Sequence, residues 1–255
     1  MAVDDPKIQA IYRYPVKGLS PEGLTSTRLA PYETLPADRL YAIENGPSGF
    51  DPTAPRYQPK QRYLMLMRNE RLAQLRARFE EASHTLAIEL EGQEAARGDL
   101  RTAAGRATIE RFFAGFCADE LRGAPRVLHA PGFSFSDVAR KVVSIVNLAS
   151  VTAVESLVGK AVHPLRFRAN LYVSGWPAWR EFELLGRQIA IGKDAQLKIV
   201  KRIVRCAAID VDPETAIRDL SIPHALMRSL GHAECGVYGE VVRGGEIAVG
   251  DELRA

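Results

Sequence analysis

Apolar residues in this 255-residue chain come in short bursts, and that restricts the fold more than any other feature of the sequence. Residues 142–146 are apolar and largely β-branched, as in a buried strand, while Leu86, Ile88 and Leu90 alternate as a half-buried strand does. Residues 8–14, 39–44 and 170–173 are similar short segments, cut off by Pro15, by Asn45-Gly46 and by Ser174-Gly175. Residues 196–204 alternate into Cys206, and 237–242 with 246–249 predict a hairpin around Arg243-Gly244-Gly245. Leu72, Leu75 and Phe79 fit helical spacing, but Leu75, Ala77 and Phe79 also alternate. The clean alternation that follows favours a hairpin turning at 80–83.

Few segments compete with this pattern. Residues 110–122 predict an amphipathic helix ended by Gly123, Ser150 a capped helix running to Val158 with Gly159 as its stop, and Ser221 a helix closed by Gly231. Residues 46–62 carry prolines at 47, 52, 55 and 59 and read as a loop without core. The expected class is mainly β with some α, barrel-like and two-lobed, joined near residues 95–125. The expected domains are 1–108 and 109–255.

The net charge of +3 suits a small anionic ligand and lacks the concentrated basic face of a nucleic-acid binder, so no nucleic acid is expected as partner. Three widely spaced cysteines point to a reducing compartment. The start, Met1 to Lys7, has no apolar signal core, and no run approaches a membrane span, so a cytoplasmic location is expected.

Cys206 stands directly after Arg205 and before an Asp212-Pro213 turn. A neighbouring fixed cation favours thiolate, the form that binds soft metals or attacks electrophiles. With no Cys-x-x-Cys partner, a dithiol pair or zinc knuckle does not fit. A cysteine of this kind can also simply pack, since free thiols are among the most buried side chains. Dinucleotide, phosphate-loop, zincin, nucleophile-elbow and EF-hand motifs are absent, and His84, His129, His163, His224 and His232 are scattered without ligand spacing. What remains is a set of cations at strand ends: Lys17, Arg39, Arg166, Arg168 and Arg205. Together they could cradle an anionic cofactor, because guanidinium groups match phosphate bidentately.

Four motifs then occur in a telling order: Tyr14-Pro15-Val16-Lys17, Asp38-Arg39, Phe167-Arg168-Ala169-Asn170, and Arg205-Cys206 followed by Val211-Asp212-Pro213-Glu214-Thr215. With the ending from Cys235 to Asp251, they resemble MOSC-domain proteins that carry an N-terminal β-barrel MOSC domain. The subgroup includes the mitochondrial amidoxime-reducing component and the bacterial YcbX proteins. The resemblance implies a molybdenum cofactor (a molybdopterin, with no pyridoxal phosphate), with Cys206 as thiolate ligand to the metal and catalytic centre. Soft thiolate fits such a metal. It further implies that Lys17, Arg39, Arg168, Asn170 and Arg205 hold the pterin and its phosphate.

The family's serine after Tyr-Pro-Val-Lys is Gly18 here, with Ser20 as a possible replacement hydroxyl. Its serine before Arg-Cys is Val204, and the proline of Phe-Arg-Pro-Asn is Ala169. Only Cys206 and Cys235 lie in the last third, so a Cys₄ iron–sulfur cluster cannot form there. The implied function is reduction of N-hydroxylated or N-oxygenated small molecules by oxygen-atom transfer, with electrons from a separate electron-transfer protein. The competing expectation is a non-catalytic protein that carries the cofactor or handles its sulfur. A third is a β scaffold in which Cys206 merely packs.

Overall fold

The computed structural model describes residues 5–255; residues 1–4, part of the start read above as lacking a signal core, lie outside the described residues. The amino-terminal part supplies β1 (Lys7–Arg13), β2 (Glu22–Leu24), β3 (Ser26–Leu29) and β4 (Ala42–Asn45). A meander follows: β5 (Leu75–Glu80), β6 (Thr85–Leu90) and β7 (Gln93–Asp99). Helix α1 (Ala103–Phe116) and β8 (Pro125–Leu128) lead to β9 (Val143–Asn147), α2 (Leu148–Val158) and β10 (Leu171–Ser174). The remainder holds α3 (Arg180–Glu183), β11 (Gln188–Ile191), β12 (Ala195–Val204) and α4 (Ile222–Leu230). It closes with β13 (Glu234–Arg243), β14 (Gly245–Ala248) and β15 (Leu253–Arg254). The protein is thus mainly β with some α.

Among the described residues the largest sheet has eight strands, ordered β15-β11-β12-β13-β9-β10-β1-β2, and it curls into a half barrel. β9 and β10 are parallel, and α2 makes the crossover such a pair needs. Every residue of β9 is buried, which is why that segment carries no polar alternation. Ile8, Ile11, Ile145, Leu171, Val173, Leu197, Ile199 and Val237 form the core of this sheet. Each such side chain contributes about 1.5–3 kcal/mol through burial. The N-terminal strand β1 therefore pairs within the sheet built mostly by the second half of the chain.

A second core lies under the β5–β7 meander, where Leu75, Phe79, Leu86 and Ile88 meet Ile109 and Phe113 of α1. Val211 and Ala216, from just beyond Cys206, join it, so the two halves of the chain share apolar contacts. β5 is one of the two outer strands of the meander. Its outward amides at Ala77 and Phe79 donate to the Ser20 hydroxyl and the Glu22 carboxylate.

Several local expectations change. The predicted hairpin around Arg243 does not form: β14 pairs with β3, Gly245 opposite Leu29, while β13 pairs with β12 and β9. Helix α1 starts at Ala103, not 110, because the Thr102 side chain accepts the Gly105 amide at 3.0 Å and caps it there. It ends at Phe116, before a 3-10 turn at Ala118–Glu120. The cap of α2 is Asn147, not Ser150, whose hydroxyl instead accepts from the Trp179 amide and donates to buried Glu181. Gly159 and Gly231 do close their helices, both in the left-handed conformation. The predicted hairpin of β5 and β6 forms, with Leu75 opposite Leu90 and its turn at 81–84, one residue later than expected.

Candidate functional site

Cys206 lies two residues past the end of β12, where the extended chain enters a 3-10 turn at Ala207–Asp210. The thiol is half-buried and forms part of the wall of a cavity of about 240 Å³. All five other expected site residues line the same cavity: Lys17, Arg39, Arg168, Asn170 and Arg205. Residues spread over 190 positions of sequence thus meet, because β1 ends, and β9 and β10 begin, beside the end of β12.

The cations are held by specific partners. Lys17 is buried, and its Nζ donates to the Phe135 carbonyl at 2.8 Å and to Asp137 Oδ1 at 2.5 Å. Burial pulls the Lys17 ammonium below its usual value, against the opposing pull of Asp137. Burial also pushes the Asp137 carboxyl upward, but Lys17, Lys60 and Arg39 outweigh that and hold it far below the usual carboxylate range. Arg39 does not open a strand as expected. It sits in a left-handed turn at φ 52°, where its amide donates to the Tyr14 carbonyl. Its guanidinium donates to Asp38 at 2.5 Å and to the Arg168 carbonyl at 3.0 Å. Arg168, also left-handed, donates to the Leu19 carbonyl at 2.7 Å. Both guanidinium carbons lie against the buried Tyr14 ring, at 4.7 Å for Arg39 and 4.3 Å for Arg168, a cation–π platform at the cavity wall.

Arg205 points away from the cysteine it precedes. Its Nε and Nη1 donate to the carbonyls of Cys235 and Phe167 at 2.8 and 2.7 Å, while Nη2 is buried with no protein partner. The cation at the thiol is Lys60, from the proline-rich loop, whose Nζ lies 3.0 Å from Cys206 Sγ. Burial works against the Lys60 charge, but contact with Cys206 and the charges of Asp137 and Tyr238 prevail and raise its pKa. Sequence reading missed Lys60 and Asp137, because a lysine in a proline-rich loop and an aspartate after Phe135-Ser136 carry no local signature. The loop contributes no buried hydrophobic residue, as expected, although the partly buried Phe50 packs against a small core that includes Phe135.

Asn170 occupies the wall but is committed to the scaffold. Its Oδ1 accepts from the Ser144 amide and hydroxyl, and its Nδ2 donates to the Tyr12 carbonyl, tying β9, β10 and β1 together. Arg166 is likewise a clamp: its 1%-exposed side chain bonds the Asp210 carbonyl, Asp212 and Asp219. That pairing explains the Asp212-Pro213-Glu214-Thr215 motif, in which Asp212 also accepts from the amides of Glu214 and Thr215.

The departures from the motif acquire physical reasons. Gly18 has φ 87°, and a Cβ there would stand 2.7 Å from the Leu64 carbonyl oxygen, so serine is excluded by backbone and space alike. Ser20 does not replace it, since its hydroxyl serves Ala77. The Ala169 amide donates to the Tyr172 hydroxyl at 3.1 Å, a bond that proline could not make. Val204 is exposed at the cavity mouth.

Eight lysine and arginine side chains line the cavity against two carboxylates, Asp38 and Asp137, a surplus of six on a chain whose net charge is +3. Two of the eight, Arg166 and Arg202, have carboxylate partners outside the wall. The rest, with the orphaned Arg205 Nη2 and the thiol of Cys206, suit an anionic group that also ligates a soft metal. Among the described residues no cluster of three or more His, Cys, Asp or Glu could hold a metal by itself, and no helix is long and apolar enough to cross a membrane.

No curated protein is similar enough to this chain to be matched. Among solved structures it is similar to the YuaD protein of Bacillus subtilis, at 15% identity over 97% of this chain and 93% of that one, with TM-score 0.46. It is also similar to YiiM of Geobacillus stearothermophilus, at 20% identity over 44% and 52%, with TM-score 0.34. The MOSC N-terminal beta barrel domain matches residues 5–117 and the MOSC domain residues 126–254. On those matches the chain belongs to the MOSC domain family, with the family's N-terminal beta barrel domain ahead of its MOSC domain.

Proposed function

We propose that this cavity holds a molybdenum–pterin cofactor, with Cys206 as a thiolate ligand, and that the protein reduces N-hydroxylated or N-oxygenated small molecules. The observation that carries this reading is the convergence on one cavity of a half-buried thiol and four cations that have no carboxylate partner among the described residues, Lys60, Arg168, Lys201 and Arg205. Lys17, Arg39 and Arg168 would face the pterin and its phosphate, and Arg205 would meet it with the Nη2 that has no other partner. Asn170 would act through the scaffold it fixes. Lys60, at the thiol, would neutralise charge there and keep water from the sulfur. When bound, such a cofactor supplies the two-electron chemistry that N–O bond cleavage requires. The chain has no dinucleotide fingerprint, so the electrons would come from a separate redox protein docking transiently at the cavity mouth. A cytoplasmic setting accords with the three free thiols.

Protein made in a host that synthesises the cofactor should co-purify with molybdenum and pterin. Cys206→Ser should stay folded and lose one sulfur from the metal's X-ray absorption signature. Arg205→Met should lower the retained pterin about tenfold or more, since a charge-assisted bond is worth about 1.5–3 kcal/mol. Turnover of an amidoxime or hydroxylamine should appear with reduced viologen dye and not with NADH alone. Unchanged sulfur coordination in Cys206→Ser refutes the ligand. No turnover by molybdenum-replete protein replaces the reductase with the cofactor carrier.

A further inference from the structure

A second cavity of about 500 Å³ abuts the first and shares Gly18, Leu66, Arg166, Arg168 and Ala208 with it. Its walls come from both halves of the chain: the turn after β1 (Leu19, Pro21), the outer strand β5 (Ala77), and the segments around Leu165 and Val211. Chemically it is unlike its neighbour. The charged residues around it already have partners inside the protein. Arg78 pairs with Glu89, and Arg166 with Asp212 and Asp219. Arg76 donates to the carbonyls of Ala73 and Leu75, Arg168 to that of Leu19, and His163 stands 3.8 Å from Glu214. Arg76 and Arg168 have only carbonyl partners, and the rest of the wall, with Leu19, Pro21, Leu72, Leu165 and Val211, is mostly apolar.

We infer that this second cavity binds a predominantly apolar organic body of about two fused rings. The size follows from volume: a cavity of about 150 Å³ holds one benzene, and about 500 Å³ falls within the usual range for small-molecule sites. The class follows from the lining, since a mostly apolar wall favours a ligand that brings apolar surface. The shared wall at Gly18 and Arg168 places such a body next to the cationic cavity. As the part of the substrate remote from the reacting bond, it rests on the function proposed above; as a binding site, it does not.

The test uses the full chain without cofactor and 2-naphthol as the probe, followed by its fluorescence. Wild type should bind it saturably at one site. Ala77→Phe, which adds a ring at the cavity wall, should weaken binding at least about tenfold, and Ala77→Ser should not. Crystals soaked in 6-bromo-2-naphthol should show the bromine by anomalous scattering between Pro21, Ala77 and Leu165, which settles the site even if Ala77→Phe folds poorly. Absence of saturable binding, or bromine placed between Lys17 and Arg168, overturns the inference. So does loss of 2-naphthol binding once the protein carries molybdopterin, because the cavity would then be the cofactor's own. Molybdenum content and viologen-driven turnover are separate readouts, so failure of the proposed function and failure of this site are distinguishable.

Discussion

Replacing Arg166 with Met should unfold the clamp behind the cavity without removing a ligand contact. The side chain is 1% exposed and loses bonds of 2.9 Å to the Asp210 carbonyl, 2.7 Å to Asp212 and 2.8 Å to Asp219. Removing one partner of a buried ion cluster costs about 3–5 kcal/mol. Here the stranded carboxylates are 19% and 38% exposed and can regain some water, which reduces the expected loss to about 2–3 kcal/mol. With a urea slope of about 3 kcal/mol/M, the unfolding midpoint should fall by roughly 1 M.

The loss should also depend on pH. Burial raises the Asp212 carboxyl, but the amides of Thr215 and Glu214 and the charge of Arg166 outweigh it, so its folded value is depressed. A depressed carboxylate stabilises the fold above the usual aspartate range, and that contribution disappears as pH falls through the folded value. The gap between wild type and Arg166→Met should therefore be widest near neutrality and narrow below about pH 4. Adding Asp212→Asn and Asp219→Asn to Arg166→Met should recover much of the stability, since no unpaired carboxylate then remains. A gap under about 0.5 kcal/mol at neutral pH, or one that persists in acid, refutes the clamp.

Two further outcomes follow from the same geometry. Burial pushes the thiols of Cys117 and Cys235 up to about 12, so iodoacetamide at pH 8 should add a single group, at Cys206, read by intact mass and abolished in Cys206→Ser; labelling of three sites contradicts this. Gly236→Ala should lower the melting temperature sharply, by an equivalent of about 2 kcal/mol or more. Its φ is 76°, and a Cβ would lie 2.5 Å from the Ile145 oxygen and 3.0 Å from Arg205 Nη2. An unchanged melt contradicts the crowding at Arg205.

The sequence patterns that could be read were those whose cause is local. Alternation located β6 and β12, and the glycine stops of α2 and α4 were visible because a left-handed cap needs that residue. The pairing of β14 with β3 was not visible: it joins segments more than 200 positions apart, and Arg243-Gly244-Gly245 resembles a hairpin turn whichever partner the strand takes. Helix α1 was read late because Ala103-Ala104-Gly105 has no amphipathic stripe. Gly105 is needed there, since a Cβ would meet the Asp99 oxygen at 2.1 Å. In the site, the motif cations were found by type and order, and folding brings them together. Lys60 and Asp137 were not found, because each gains its role only from what lies opposite. Arg205 suggested itself by being next to Cys206, yet neighbours along an extended chain point to opposite sides, and it is Lys60 that reaches the sulfur.

The side-chain contacts along β5 guard the folding chain against edge-to-edge pairing with other chains. An outer strand offers unpaired amides to any other extended chain, and a three-stranded meander of this kind would be a ready template for intermolecular pairing. Ser20 and Glu22 occupy the outward amides of Ala77 and Phe79, with Arg13 holding the Glu22 carboxylate in place at 2.9 Å. Both residues precede β5 by more than fifty positions, so during synthesis the guard leaves the ribosome before the edge it covers. Side chains, unlike a paired strand, cover that edge without extending the sheet, and they leave no new outer strand behind them.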